Sequence, residues 1–532
     1  MDTQGGKRIR RALVFTSLLL AACGGGNQSQ TQTQTLAAAA AASPAVTSTG
    51  TDFYLTLPDH LCVSSPALCN NTPVTDKLIV AAAAATTGNV TFNGVTTPFS
   101  VAAGADTVIT LDPAVVLTTN ETVEPKAIHV TAQAPVSVYV VSENATSADG
   151  YMGLPTPGLG TNFYVMSYAS TGYTGSEFAV VGTQNTTTVT ITPTAAGATK
   201  PAGMPFTVVL NAGETYQLQN PANADMTGTH VTSDKPVAVF GGHRCSDVPS
   251  GVGYCDYLVE ELPDVSVWGK TFHTSPFSGR ARYTVRIIAS QNGTTIATTP
   301  AGLIPGTLNA GQFAELTLTG NVEFVASSPV LLAQYMRGYA DDAAGKGDPS
   351  MVLVTPAELA TSSATFGVYG LAGTTGDYIN VVAETSSLAT LTLDSVAVNA
   401  ALFVPIGGTS LYSVGTIPVA PGAHALAGTA PFSALIYDFG IPSNAVSYAY
   451  PAATMLSLAA ASAPAPAPPV PPAPPAPPAP VPPAPPAPGS CDTQHHGEGG
   501  KAQEDHHRDG QTGESPQSTE GGGHDKDHEC RE

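Results

Sequence analysis

A chain of 532 residues is long enough for several hydrophobic cores. Its 40 acidic against 19 basic residues give a net charge of −21, and beyond Arg11 the basic residues are scattered, with no basic stripe interleaved with aromatics. That balance argues against nucleic acid as a partner.

The chain opens with a basic cluster, Lys7, Arg8, Arg10 and Arg11, and an apolar run over residues 12–20. The run is too short to span a bilayer, so residues 1–22 read as a secretory signal peptide. It ends in Leu20-Ala21-Ala22-Cys23, which resembles the lipobox of bacterial lipoproteins. The resemblance implies cleavage before Cys23, lipid on its thiol and firm attachment to a membrane. Gly24 rather than Asp after the cysteine implies, by the same resemblance, the outer membrane or cell surface of a Gram-negative-type exported lipoprotein. Residues 23–49 are polar and repetitive and read as a disordered tether.

Residues 50–455 are rich in Val, Thr, Ala and Gly, poor in charge and nearly free of helical periodicity. One pattern recurs four times, over residues 50–148, 160–255, 269–345 and 363–453. Each copy opens with an aromatic strand, with Phe53, Phe163, Phe272 and Phe366 taken as equivalent. An Ala/Gly turn follows at Gly104, Gly213, Gly311 or Gly408, and then an apolar stretch led by Pro135, Pro236, Pro329 or Pro431. About seven short β-branched runs per copy predict an all-β chain of tandem β-sandwich-like repeats of about 100 residues. A β-propeller-like closed array is the alternative, although four-stranded blades fit seven runs less well. Proline lacks an N–H and is expected as the first residue of its strand. Val138, Val239 and Leu332, three positions later, should then be buried, with both faces of that strand covered.

The connections after these strands vary most. Each carries an aspartate, Asp149, Asp256 or Asp348, shortly before a hydrophobic-proline segment, Leu154-Pro155, Leu262-Pro263 or Val354-Thr355-Pro356. The hydrophobic-proline parts suit docking of one repeat on the next. The polar parts suit ligand binding, because loops on a rigid scaffold carry recognition. His243, Arg244, Asp247, Tyr254 and Asp256 are the candidate binding residues.

With Cys23 set aside for lipid, six cysteines remain as sequence neighbours: Cys62 with Cys69, Cys245 with Cys255, Cys491 with Cys530. An exported chain with an even remainder predicts three local disulfides. A metal site of His243, Cys245 and Cys255 would need a second pair at ligand spacing nearby, and none occurs.

The stretch over residues 228–269 holds His243-Arg244-Cys245, nine further residues, Cys255, and then Trp268-Gly269; Asp348-Pro349-Ser350-Met351 follows later. It resembles the N-terminal domain family of the IgG-Fc-binding protein of mucus and its bacterial relatives, over residues 53–453. The resemblance implies a non-catalytic, surface-displayed recognition module and carries over no site residue. No HExxH, GxSxG, P-loop or GxGxxG pattern points to an enzyme.

Residues 456–490 are almost pure Ala and Pro and read as a polyproline stalk. Residues 491–532 form an acidic tail in which His495, His496, His506, His507, His524 and His528 alternate with carboxylates, a donor set suited to Zn²⁺, Ni²⁺ or Cu²⁺. The expected function is that of a membrane-anchored bacterial surface lipoprotein, a non-catalytic binding or adhesion module for a protein or glycan ligand, without a cofactor. Metal capture by the tail, with the β array as spacer, and a hydrolase site between repeats are the alternatives.

Overall fold

Alternation in the first half of a strand and unbroken apolarity in the second produce the central element of each repeat. The computed structural model describes residues 46–341, 344–406, 411–440 and 446–457. Cys23, Gly408, Cys491, Cys530 and the six tail histidines lie outside them. The described chain forms four antiparallel sheets of seven, eight, six and eight strands. Each is built on one long strand: Ile128–Glu143, His230–Ser246, Val322–Met336 and Gly422–Gly440. The first half of Ile128–Glu143 pairs with Gly50–Leu55 and Thr86–Phe92, and the second half with Thr75–Ala82 and Ala148–Met152. Each unit is therefore two layers that share one bent strand, and the chain is all-β as expected.

The prolines are not at the strand starts. Pro135, Pro236, Pro329 and Pro431 sit inside the long strands, and none has a ladder partner. They occupy the point where pairing passes from one layer to the other. No hydrogen bond is lost there, so the missing N–H is harmless. Register also corrects the fourth aromatic. Phe53, Phe163 and Phe272 face the residue five places before their proline, whereas in the fourth unit Ala364 does so and Phe366 lies two residues on. Side chains alternate with period two, so Phe366 still points inward and is fully buried.

Val138, Val239 and Leu332 are fully buried, each contributing about 1.5–3 kcal/mol. Both faces are covered for a specific reason. Val138 and Val140 face their own unit's core, while Tyr139 and Val141 join the core of the fourth unit. Likewise Val237 and Val239 face their own core, and Ala238 and Phe240 enter that of the first unit.

The four inner strands, Ala148–Met152, Asp256–Leu262, Ser350–Leu353 and Ser447–Pro451, pack first on second, second on third, third on fourth and fourth on first. The units thus close into a ring about a central axis. This is the closed arrangement named above as the alternative, made from units larger than single blades. The ring is fastened by the ends of the described chain: Ser48 N–H donates to Thr454 O at 2.8 Å, Leu456 N–H donates to Val46 O at 2.7 Å, and Thr47 bridges Met455.

Candidate functional site

The first two inner strands carry Asp149 and Asp256, and Asp348 lies two residues before the third. Gly150, Val259, Met351 and Ala449 are equivalent positions, each paired with the residue six places after its proline: Val141, Gly242, Tyr335 and Tyr437. Asp149 reaches into this layer. Its Oδ2 accepts from the Val259 N–H at 3.2 Å and the Met351 N–H at 3.1 Å. Burial pushes its carboxyl well up, while the amides of Met351, Gly150, Val259 and Ala449 pull toward the ionised form. Asp256 is also fully buried. Its carboxyl is pushed well up by desolvation first and the neighbouring Asp348 charge second.

All four inner strands run the same way along the axis. They start at the end where the variable loops emerge, which we call the loop face. A cavity of about 440 Å³ opens there. Ser147 and Asp348 line it together with Tyr173, Tyr254, Tyr339 and the Cys62–Cys69 and Cys245–Cys255 disulfides. The cysteines are therefore bonded to each other and not available to a metal. Among the described residues, no group of three or more His, Cys, Asp or Glu is placed to hold a metal ion. At the far end an apolar cavity of about 50 Å³ is lined by Met152, Leu154, Trp268, Phe272, Leu353 and Leu456. Leu154, Leu262 and Val354 of the hydrophobic-proline segments are all buried; Leu154 packs in the core of the fourth unit, whereas Leu262 and Val354 pack in the cores that hold their own units' long strands. Glu261 Oε2 accepts from Leu154 N–H at 2.9 Å and Glu260 Oε1 from Leu353 N–H at 3.1 Å, so two buried acids also tie units together.

Of the five candidate binding residues, Tyr254 is exposed (61%), while His243, Asp247 and Asp256 are buried. Arg244 is half-buried; its Nε donates to Thr174 O at 2.9 Å and its Nη1 lies 3.6 Å from Asp59 Oδ2. His243 Nδ1 accepts from the Cys245 N–H at 3.0 Å, and burial holds its pKa down at about 3. The sequence contains a second copy of this His-x-Cys turn, His60-Leu61-Cys62, that sequence reasoning passed over. There His60 Nδ1 accepts from the Cys62 N–H at 3.1 Å, and its pKa is also pushed to about 3 by burial. Tyr173, Tyr339, His60 and Ser147 were missed because no spacing in the chain links four separate loops.

His60 Nε2 lies 3.3 Å from Ser147 Oγ, which donates in turn to Asp256 Oδ1. The trio has the residue types of a hydrolase but the wrong tautomer. A neutral imidazole whose Nδ1 accepts carries its proton on Nε2. His60 therefore donates to Ser147 and cannot take its proton. Ser147 Oγ also accepts from Tyr257 N–H at 3.2 Å, and its hydrogen-bonding capacity is spent on structure.

Residues 149–437, from the first axial aspartate to the end region of the fourth long strand, match the family model described as IgGFc binding protein. The chain belongs to that family. A human protein named IgGFc-binding protein is 27% identical over 274 residues, which make up 50% of this chain and 5% of that protein. The chain thus spans a small fraction of that curated relative's length. No solved structure matches. Among the described residues, no helix is long and apolar enough to cross a membrane.

Proposed function

We propose that the protein is a lipid-anchored, surface-displayed module that binds a protein ligand through its loop face. The carrying observation is the division of the ring into two ends. The variable loops, both disulfides and the larger cavity gather where the inner strands begin. The chain's path into the ring at Val46 and out at Ser457 lies at the other end, where Thr454 and Leu456 border the apolar cavity. A tether from Cys23 to Val46 would then point the loop face away from the membrane. The name of the human relative makes an immunoglobulin Fc the first ligand to try. Lipid at Cys23, adhesion and outer-membrane placement are parts of this reading.

The test uses cells displaying the full chain or its Tyr254→Ala/Tyr339→Ala double variant, on surfaces coated with immunoglobulin Fc, mucin or albumin. Attachment to Fc or mucin should exceed attachment to albumin and fall with the double variant. Equal attachment to all three coats, or no change in the variant, would sink the reading. A second reading, metal capture, rests on the six tail histidines that alternate with carboxylates.

A further inference from the structure

We infer that the loop-face cavity receives the proline-rich segment, residues 463–488, of a second copy of this chain. The inference rests on the loop face being the contact surface and adds a binding partner to it.

Tyr254 and Tyr339 meet at an interplanar angle of 73° with centroids 5.6 Å apart, and so form an angled aromatic notch. Tyr173 and Leu68 line the same cavity. Leu68, Tyr173 and Tyr254 are all exposed, so three loops bring apolar groups to one mouth. Exposed apolar groups gathered in this way mark a contact site. Tyr254 is held at φ +70, a conformation that bulky residues rarely adopt, next to the disulfide-bonded Cys255. Such a backbone persists when the surroundings over-determine it, as at ligand clamps. The wall presents no open charge. Asp348 is the acid among the described lining residues, and it is buried, with its carboxyl pushed well up by desolvation. The polar groups on offer are neutral: the hydroxyls of Tyr173, Tyr254 and Tyr339, and the amide of Asn70.

The same chain carries a segment of matching chemistry. Residues 463–488 consist only of Ala, Pro and Val. Such a composition prefers polyproline II, a helix without internal hydrogen bonds, so its carbonyls are open to donors. Aromatic notches take its proline rings at little entropy cost, because the helix is formed before it binds. Charge selects the same pairing. At a net charge of −21 two copies repel one another, and contact is least opposed where neither surface is charged. The cavity wall and the segment both meet that condition. Reach is sufficient as well. The segment's 26 residues, at about 3.1 Å each, extend about 80 Å. The longest strand of the ring, Gly422–Gly440, spans about 60 Å. The chain leaves the ring at Ser457, at the end opposite the cavity. A segment of this length can therefore reach the cavity of a copy standing beside it on the same surface.

The experiment has two arms. In the first, a synthetic peptide of residues 463–488 is titrated into the chain lacking those residues and read by tyrosine fluorescence, with a Gly/Ser peptide of equal length as the neutral, flexible control. The proline-rich peptide should bind at least about tenfold more tightly than the control. Tyr254→Ala and Tyr339→Ala should each weaken it about fivefold. In the second arm, light scattering follows the full chain in detergent. Its mass should rise with concentration, and the rise should vanish on deletion of residues 463–488 and on Tyr254→Ala. Control and proline-rich peptides binding alike, binding untouched by either tyrosine variant, or no binding at all would each overturn the inference. A full chain that stays monomeric at every concentration, although the peptide binds through the tyrosines, would overturn the second copy as occupant. The coated-surface assay, repeated with the chain lacking residues 463–488, decides separately for the loop face and its protein ligand.

Discussion

Asp149 Oδ2 accepts from the backbone N–H of Met351 at 3.1 Å, across 202 residues of sequence, and so joins the first inner strand to the third through the axis of the ring. Val259 of the second strand donates to the same oxygen. One carboxylate thereby ties three units together. Asp149→Ala should leave two buried amides without an acceptor and cost about 3–5 kcal/mol. Asp149→Asn, which keeps an acceptor, should cost about 1–2 kcal/mol. Urea denaturation of the two variants gives the order; equal midpoints with wild type would mean the axis does not need this acceptor.

Stability should rise on mild acidification. Burial pushes Asp76 and Asp377 up to about 6, and burial together with the Asp377 charge pushes Asp438 to about 8. These groups stay protonated in the fold while the unfolded chain has already ionised. Their contribution is therefore complete below about pH 4 and is lost as pH climbs through 6 and then 8. His60 and His243, held near 3, act in the opposite sense and cost stability as pH falls below about 6.5. The raised carboxyls, Asp149, Asp256, Asp348, Glu177, Glu260 and Glu261 among them, outnumber the two imidazoles. Calorimetry should give a higher melting temperature at pH 5 than at pH 8.5, and Asp438→Asn should flatten the alkaline limb. A melting temperature that climbs steadily from pH 5 to 8.5 would contradict this.

The long strands should tolerate change at their prolines and not three residues later. Pro236 has no ladder partner, so Pro236→Ala should alter stability by less than about 1 kcal/mol. Leu332→Ala, at a fully buried site, should cost about 2–5 kcal/mol. Thermal melts of the two variants compare them directly.

Much of this fold was legible from Pro135, Pro236, Pro329 and Pro431, because a buried strand repeated at fixed spacing leaves the same apolar signature each time. The burial of Val138, Val239 and Leu332 followed from that signature. The prolines' mid-strand position did not, since one sequence pattern serves both a strand start and a change of pairing partner. Ring closure is only the alternative reading of the sequence, because it depends on contacts such as Thr47 with Met455, which no local pattern announces. At the site, Asp256 and Asp348 fall at equivalent positions, three residues before Val259 and Met351, whereas Asp149 lies one residue before Gly150, a difference in register that the spacing to the hydrophobic-proline segments does not reveal. His243 looked like chemistry, although burial and the Cys245 amide make it a structural cap.

The two proposed readings can be separated at the termini. Cys23→Ala should release the protein from membranes and abolish incorporation of radiolabelled palmitate. Deleting everything after Ser462 should remove Zn²⁺ binding measured by calorimetry while leaving attachment to coated surfaces unchanged. Loss of attachment on that deletion would place recognition in the tail.

The joint between Val46 and Leu456 also sets how the molecule would bear mechanical load. The chain enters and leaves the ring at neighbouring points, so a pull between leader and tail does not travel around the four units. It falls on a few hydrogen bonds among Val46, Ser48, Thr454 and Leu456, loaded one after another like a zip. A pull on the loop face against the leader would instead run lengthwise through the closed β-structure, which leaves this seam as the weakest point.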